Sequence, residues 1–326
     1  MTEYNIPWDS ITKFGQSTML DNPLFSISWI LGRFCNYKCS YCWPYARTDK
    51  PDHQELTLYK STVDQIKQQA RANGFTQFHW SFSGGEPTAY KHLLELIKHL
   101  DDGPTSTYQS IHMTTNLSPS IKWWKTWCTN SELLQRKSLT ASFHDEFADE
   151  QEFGDKIIFL VNENVHVTVN QVMVPEKFNE LYDRLERFNA RGINVTLKPQ
   201  SDPTASKIVD GYTDEMIKTM QTGFPQQHKG TDSYQIRLFN KETYYDFDQA
   251  ERFNAFGFNK FTNWSCNSGY QSVIIRGNEV KRGYSCYDPI LGTLENGFNL
   301  FTEPKVCMTP SCVSSADSKI PKCKLI

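Results

Sequence analysis

FSISWILGRFCNYKCSYC, residues 25–42, is the most informative stretch of the sequence. Residues 25–34 form an apolar run interrupted by single polar residues, a pattern that predicts a strand. Cys35, Cys39 and Cys42 follow that strand directly, and three thiolates on one short loop can hold three irons of a cubane cluster. In a parallel α/β barrel the loops after the strands form the active-site face. We therefore expect a metal site there.

Five more strand candidates follow the first one, with helical patterns between them. They cover residues 77–83, 110–116, 139–144, 165–174 and 194–198. Six β-then-α units in a row predict a parallel sheet with helices packed outside. Because a closed barrel of this type needs about eight units, the expected fold is α/β, a partial (β/α)6 TIM-like barrel over residues 24–222.

A zinc ion is the alternative to an iron–sulfur cluster as the metal centre held by the three N-terminal cysteines. A structural zinc site usually has four ligands in paired Cys-x-x-Cys units. No fourth thiol lies close in the sequence, so the spacing favours an iron–sulfur cluster that keeps one iron free of protein ligands.

Composition limits the classes of function that fit. The net charge is −3, which does not favour nucleic acid as a partner. We find no run of about 18 apolar residues to span a bilayer and no signal-peptide pattern, so we predict a cytoplasmic protein that does not engage the membrane. Nine cysteines in that reducing compartment indicate metal ligands rather than disulfides. The lone Cys128 is expected to be a small buried hydrophobe.

The C-terminal quarter carries a second group of cysteines. We interpret residues 1–23 as an N-terminal extension, 223–261 as a linker, and 262–326 as a small second domain. Within it, residues 271–275 and 279–282 flank Arg276-Gly277-Asn278, which predicts a hairpin. Cys266 and Cys286 bracket that hairpin, and the remaining thiols follow at Cys307, Cys312 and Cys323. Four thiolates suit zinc as well as iron–sulfur.

The Cys-x3-Cys-x2-Cys pattern, with an aromatic residue before its last cysteine, resembles the signature of the radical S-adenosylmethionine (SAM) superfamily. Ser83-Gly84-Gly85-Glu86-Pro87, after the second predicted strand, resembles the Gly-Gly-Glu-Pro motif of that superfamily. The resemblance implies a [4Fe-4S] cluster whose free iron binds SAM, and cleavage of SAM to a 5′-deoxyadenosyl radical. It also implies that Gly84, Gly85, Glu86 and Pro87 hold the methionine end of SAM, with Tyr41 beside the adenine.

Polar residues at the ends of the later strands are further candidates for this site. In relatives such positions contact the ribose, the carboxylate or the substrate, and the alternative is an ordinary hydrogen-bonded strand end. The candidates are Thr114, Thr115, Asn116, Ser142, His144, Asn170 and Lys198.

Residues 264–307 resemble the twitch extension of some radical SAM enzymes. That resemblance implies a second [4Fe-4S] cluster on Cys266, Cys286, Cys307 and Cys312, near Asp317 and Lys319. Two features depart from it, since the last pair is Cys-x4-Cys and Cys323 is spare.

The expected function is hydrogen abstraction from a small metabolite or nucleoside-like substrate, with an electron from a reductant such as flavodoxin or ferredoxin. We expect a small substrate because no leader-binding domain precedes the first strand and because few convergent groups, such as His144, Lys198 and Arg237, would hold it. A peptide or protein side chain is the close rival. A non-catalytic iron–sulfur or zinc module would not need Glu86, and ordinary methyl transfer would not need the three cysteines.

Overall fold

Two β-sheets form the framework of the computed structural model, which describes residues 8–43, 45–204, 207–225, 227, 236–240, 243–247 and 257–325. The strands in these ranges are β1 (Lys13–Gln16), β2 (Leu24–Gly32), β3 (Gln77–Gly84), β4 (Tyr108–Thr115), β5 (Arg136–Phe143), β6 (His166–Met173), β7 (Asn194–Pro199), β8 (Ile236–Phe239), β9 (Tyr244–Phe247), β10 (Trp264–Cys266), β11 (Ser272–Arg276), β12 (Glu279–Lys281), β13 (Ile290–Thr293), β14 (Gly297–Phe298), β15 (Lys305–Val306) and β16 (Lys322–Lys324).

The larger sheet contains the six strands predicted from the sequence. Its order is β14-β13-β12-β11-β2-β3-β4-β5-β6-β7. All neighbours from β11 to β7 are parallel, whereas β12, β13 and β14 run antiparallel to theirs. The predicted α/β fold with a mostly parallel, partial-barrel sheet is therefore confirmed.

Helices follow the parallel strands, as the apolar stripes predict. The described helices are α1 (Ser17–Asp21), α2 (Leu56–Ala72), α3 (Leu93–Leu100), α4 (Ile121–Asn130), α5 (Glu150–Asn162), α6 (Phe178–Ala190), α7 (Asp214–Thr222) and α8 (Ser315–Ser318). In α2 the side chains of Tyr59, Val63 and Ile66 are fully buried, and each such burial stabilises the fold by about 1.5–3 kcal/mol. None of the described helices is both long and apolar enough to cross a membrane.

The two faces of the parallel strands differ in chemistry. Along β2, Phe25, Ile27 and Trp29 are fully buried in the main hydrophobic core, where the Trp29 ring lies 5.1 Å from that of Tyr59 on α2. The alternate residues Ser26 and Ser28 point to the other face, which lines a cavity. The period-2 pattern thus builds an apolar face under the helices and a polar face inside the barrel.

The predicted hairpin is present, and it extends the larger sheet. β11 and β12 pair antiparallel on either side of Gly277. β11 also pairs in parallel with β2, so it adds a seventh parallel strand to the six that the sequence predicts. The sequence pattern does not indicate this pairing, because β11 lies far from β2 along the chain. The domain boundaries predicted at residues 23, 222 and 261 stay predictions, although hydrogen bonds between strands cross all three of them.

The smaller sheet joins both ends of the described chain. Its order is β15-β10-β16-β1-β8-β9, and β1 pairs antiparallel with both β16 and β8. Residues 13–16 of the expected N-terminal extension are thus part of a sheet. Residues 236–239 and 244–247 of the expected linker are also strands, while the rest of that segment lies partly outside the described residues.

Candidate active site

The loop that carries Cys35, Cys39 and Cys42 leaves the carboxyl end of β2 and is tied down at its start. The Asp52 carboxylate accepts hydrogen bonds from the backbone N–H groups of Arg33 (2.8 Å) and Phe34 (3.0 Å). A backbone turn closes within the loop, since Cys42 N donates to Cys39 O at 3.1 Å. These bonds fix the path of the loop before any ligand binds.

The three thiols have the chemistry that an iron–sulfur cluster requires. Cys35 and Cys39 are half-buried and Cys42 is exposed. Burial raises the pKa of Cys35 and Cys42, and it raises the pKa of Cys39 to about 12. Each thiol therefore holds its proton more tightly than a free cysteine does, and binding of a metal centre would release it.

The three thiols are not drawn together around one metal position. Within the described ranges, no three His, Cys, Asp or Glu side chains lie close enough together to hold one metal ion. The preference for an iron–sulfur cluster over zinc on this loop therefore rests on the spacing of the three cysteines.

Gly84 and Gly85 bring strand β3 against the cysteine loop. Gly85 N donates to Gly32 O at 2.9 Å, and Glu86 N donates to Phe34 O at 2.8 Å. Gly84 has φ +134°, and a Cβ there would lie 2.1 Å from Gly32 O. A Cβ on Gly85 would lie 2.2 Å from Phe34 O. Only glycine allows this approach, which accounts for the two glycines of the motif.

The Glu86 carboxylate joins the ends of β3 and β4. The side chain is 2% exposed. Oε1 accepts from Thr88 N (3.0 Å), Thr88 Oγ1 (2.6 Å) and Thr115 Oγ1 (2.7 Å), while Oε2 accepts from Asn116 N (2.6 Å). Burial raises the pKa of Glu86, and these hydrogen bonds oppose the rise. The structure thus gives Glu86 a positioning role, and its contact with the SAM amino group stays a prediction.

Asn116 connects β4 to the cysteine loop. Its Nδ2 donates to Asn36 Oδ1 at 2.9 Å and lies 4.0 Å from Cys35 Sγ. The next residue, Leu117, is buried in a left-handed conformation with φ 54°, which costs about 1–3 kcal/mol in a residue other than glycine. Lys156 holds this turn by donating to Leu117 O at 3.0 Å. Sequence reasoning missed Leu117 and Lys156, because a leucine carries no signal of positive φ.

The loop after β5 holds the other side of the cysteine loop. His144 Nδ1 lies 2.9 Å from Tyr41 Oη and 3.3 Å from Cys39 Sγ. Burial lowers the pKa of His144 to about 4, so its imidazole is neutral near pH 7. The Glu146 carboxylate accepts from Ser40 N (3.0 Å) and Ser40 Oγ (2.6 Å). The sequence analysis did not single out Glu146, an exposed acid in a loop.

A polar cavity of about 610 Å³ lies on the inner face of the parallel strands. Among the predicted residues, Thr114, Asn170 and Lys198 line it, together with Ser83 directly before Gly84. Histidines extend the lining, with His79 Nδ1 2.8 Å from Ser110 Oγ and His112 Nδ1 2.9 Å from Ser138 Oγ. Ser142 pairs in register with Asn170 but is not part of the described lining.

Comparison with known proteins identifies the domain that carries this loop. Residues 29–128 match the family described as the radical SAM superfamily. The chain carries a radical SAM domain. Membership implies an enzyme that uses SAM and a [4Fe-4S] cluster. The match spans the cysteine loop and the Gly-Gly-Glu-Pro stretch, so the family resemblance seen in the sequence is confirmed.

The similarity to solved structures covers more of the chain than the matched radical SAM domain does. A structure described as native anSMEcpe with bound AdoMet has a TM-score of 0.54 and 15% identity, covering 85% of this chain and 79% of that chain. A second, native anSMEcpe with bound AdoMet and Kp18Cys peptide, has a TM-score of 0.50 and 15% identity, covering 84% and 78%. No curated protein sequence matches significantly.

Outside the radical SAM domain, the structure brings the four predicted C-terminal cysteines together. Cys266, Cys286, Cys307 and Cys312 all line one cavity of about 60 Å³. Burial raises the pKa of Cys286 and raises that of Cys312 to about 12. The spare Cys323 is exposed on β16 and is not in the described lining. A twitch domain with a second cluster stays a prediction.

Other C-terminal predictions have definite places in the structure. Asp317 lines both the four-cysteine cavity and the barrel cavity, and Lys319 lines the barrel cavity. Cys128 is buried in α4, as expected for a small hydrophobe. Arg237 lies on β8 and forms an ion pair with Asp21 at 2.6 Å, so it is a residue of the smaller sheet.

Proposed function

We propose that this enzyme reductively cleaves SAM and uses the resulting 5′-deoxyadenosyl radical to abstract hydrogen from a carbon of a small metabolite or nucleoside-like molecule. The observation that carries the proposal is the anchored loop of Cys35, Cys39 and Cys42 beside a polar cavity. Ser83 links the two, because it lines the cavity and directly precedes the glycines that contact the loop.

Cys35, Cys39 and Cys42 would hold the [4Fe-4S] cluster, which supplies, when bound, the electron that splits SAM into methionine and the radical. The chain's own residues position this group. Asp52 fixes the start of the loop, and Glu146 fixes its middle through Ser40. Hydroxyl and amide groups of the cavity would hold the substrate within reach while excluding bulk water.

The size and lining of the cavity favour a small substrate. Its volume of about 610 Å³ lies within the range of about 300–1,000 Å³ typical of small-molecule sites. Ala316, Asp317 and Ile320 of the C-terminal segment line it opposite the strands. A peptide would instead require an extended groove or a free sheet edge, and it remains the rival substrate.

We further propose a second [4Fe-4S] cluster on Cys266, Cys286, Cys307 and Cys312. Their shared cavity supports this, and zinc on the same residues is the competing interpretation. A one-electron reductant such as flavodoxin or ferredoxin would serve the catalytic cluster. The cytoplasmic location expected from the sequence stays a prediction.

Anaerobic reconstitution followed by cleavage of SAM with dithionite tests the core of the proposal. Wild type should release 5′-deoxyadenosine and carry about eight irons. The combined Cys35→Ala, Cys39→Ala and Cys42→Ala variant should retain about four irons and release none. Cys323→Ala is the matched control, because its thiol lies outside both cysteine sites, and it should match wild type. SAM cleavage by the triple variant would refute the assignment, and zinc at the C-terminal site would refute the second cluster alone.

The substrate class is tested by deuterium transfer. Reconstituted enzyme is incubated in turn with the low-mass and protein fractions of an extract from cells grown on deuterated medium. We expect deuterium in 5′-deoxyadenosine from the low-mass fraction. Transfer from the protein fraction alone would establish the peptide or protein alternative instead.

A further inference from the structure

Arg282 occupies the wall between the two cavities. It follows β12, where its backbone N–H donates to Pro289 O at 2.7 Å and its carbonyl accepts a hydrogen bond from Ser268. Its side chain lines both the barrel cavity and the four-cysteine cavity. The backbone bonds fix where the guanidinium can reach.

No hydrogen bond or ion pair of the Arg282 guanidinium is present within the described residues, although its charge acts on the nearby Cys286 and opposes the rise in the pKa of that thiol. Its Nε is buried without a hydrogen bond, and its one recorded side-chain packing contact is with the Phe301 ring, 5.2 Å from the guanidinium carbon. In contrast, Arg184 and Arg187 both pair with Glu150. A partly buried guanidinium whose Nε has no hydrogen-bond acceptor favours an oxyanion as its partner.

Within the described residues no carboxylate forms an ion pair with Arg282, although Asp288 and Asp317 line the four-cysteine cavity beside it. Lys198 and Lys319 also line the barrel cavity, and Asp317 is the one carboxylate in its described lining. Asp317 Oδ2 already accepts from Ser285 N at 2.6 Å. The described lining thus contains three basic side chains and one carboxylate, and it is otherwise rich in hydroxyl groups.

We propose that the substrate is a small, hydroxyl-rich molecule with a carboxylate or phosphate group that pairs with Arg282. This inference rests on the proposed function and narrows its substrate class. The planar guanidinium can bind two oxygens of either group at once. The anionic end would lie beside the four-cysteine cavity, with the rest of the molecule along the serine, threonine and histidine side chains of the barrel.

The test separates the low-mass extract on an anion exchanger before adding it to reconstituted enzyme, SAM and dithionite. The retained pool should stimulate 5′-deoxyadenosine formation, and the unretained pool should not. In Arg282→Gln, the ratio of stimulated to unstimulated formation should fall about tenfold or more, because a hydrogen bond to a charged group is lost. Arg276→Gln, an exposed arginine at the end of β11 in the same hairpin, should keep the wild-type ratio.

Phosphatase treatment of the retained pool distinguishes the two anions, since only a phosphate ester loses its stimulation. The inference is overturned if the unretained pool or the protein fraction stimulates 5′-deoxyadenosine formation, or if neither pool stimulates it. Loss of about four irons in Arg282→Gln also overturns it, because Arg282 would then serve the cysteine site. If wild type with SAM and dithionite forms no 5′-deoxyadenosine, either with extract or without it, the proposed function itself fails.

Discussion

Replacing Glu86 with glutamine tests whether its carboxylate joins the ends of β3 and β4. The substitution keeps the size of the side chain and removes its charge. The amide oxygen can still accept the three hydrogen bonds that Oε1 receives from Thr88 and Thr115. The amide nitrogen must then face Asn116 N–H, which lies 2.6 Å from Oε2, so two donors oppose each other.

The magnitude follows from these four contacts. A hydrogen bond to a charged group contributes about 1.5–3 kcal/mol, and a buried donor left unpaired costs about 1–3 kcal/mol. The other three bonds weaken when their acceptor becomes neutral. We expect Glu86→Gln to lower the free energy of unfolding by about 3 kcal/mol.

Urea unfolding of the metal-free protein measures this loss, and hydrogen exchange of residues 112–118 locates it. The matched control is Glu132→Gln, an exposed glutamate after α4, which should change stability by less than about 0.5 kcal/mol. Unchanged stability in Glu86→Gln, or unchanged protection of the Asn116 amide, would refute the positioning role.

Two further predictions concern stability. Burial and nearby positive charges lower the pKa of His79 to about 3 and that of His112 to about 4. As the pH falls, these two histidines therefore protonate in the unfolded chain before they do so in the folded protein. The free energy of unfolding should consequently decrease as the pH drops from 6.5 to 5. Because the cavity can admit water, which lowers the cost of protonating a buried histidine, we expect a loss of about 1 kcal/mol per histidine. The urea midpoint of His112→Asn should therefore change less with pH than that of wild type. An equal or larger change would contradict the prediction. Asn164 lies in the turn just after the C-terminal end of α5 and has φ 59°. Asn164→Ala should therefore lower the stability by about 1 kcal/mol, while Asn164→Gly should not. Equal melting temperatures for the two variants would count against strain at this turn.

The six parallel strands could be predicted because each alternates between an apolar core face and a polar cavity face. The seventh could not. β11 reads as half of a local hairpin, and its pairing with β2 depends on contacts between Ser272–Arg276 and a strand far away in the chain. The smaller sheet was missed for the same reason, since short strands such as β1 and β16 carry little pattern of their own.

The cysteine sites followed from spacing, because thiols have few other uses in such clusters. The residues that support them did not. Asp52, Glu146 and Lys156 act through backbone groups and neighbouring loops, and an isolated acid or lysine on a loop or helix carries no mark of that role. The position of Arg282 between the two cavities likewise becomes evident only when both cavities are known.

The position of β11 has a consequence for biosynthesis. β2 lies between β3 and β11, but the ribosome makes β11 last of the three. At about 5–20 residues per second, the roughly 240 residues between β2 and β11 take about 12–48 s to synthesise. Throughout that interval one edge of β2 lacks its neighbour, and an open edge is a template for aggregation. Because the cysteine loop leaves the end of this same strand, it emerges on a strand whose place in the sheet is completed only when β11 has been made.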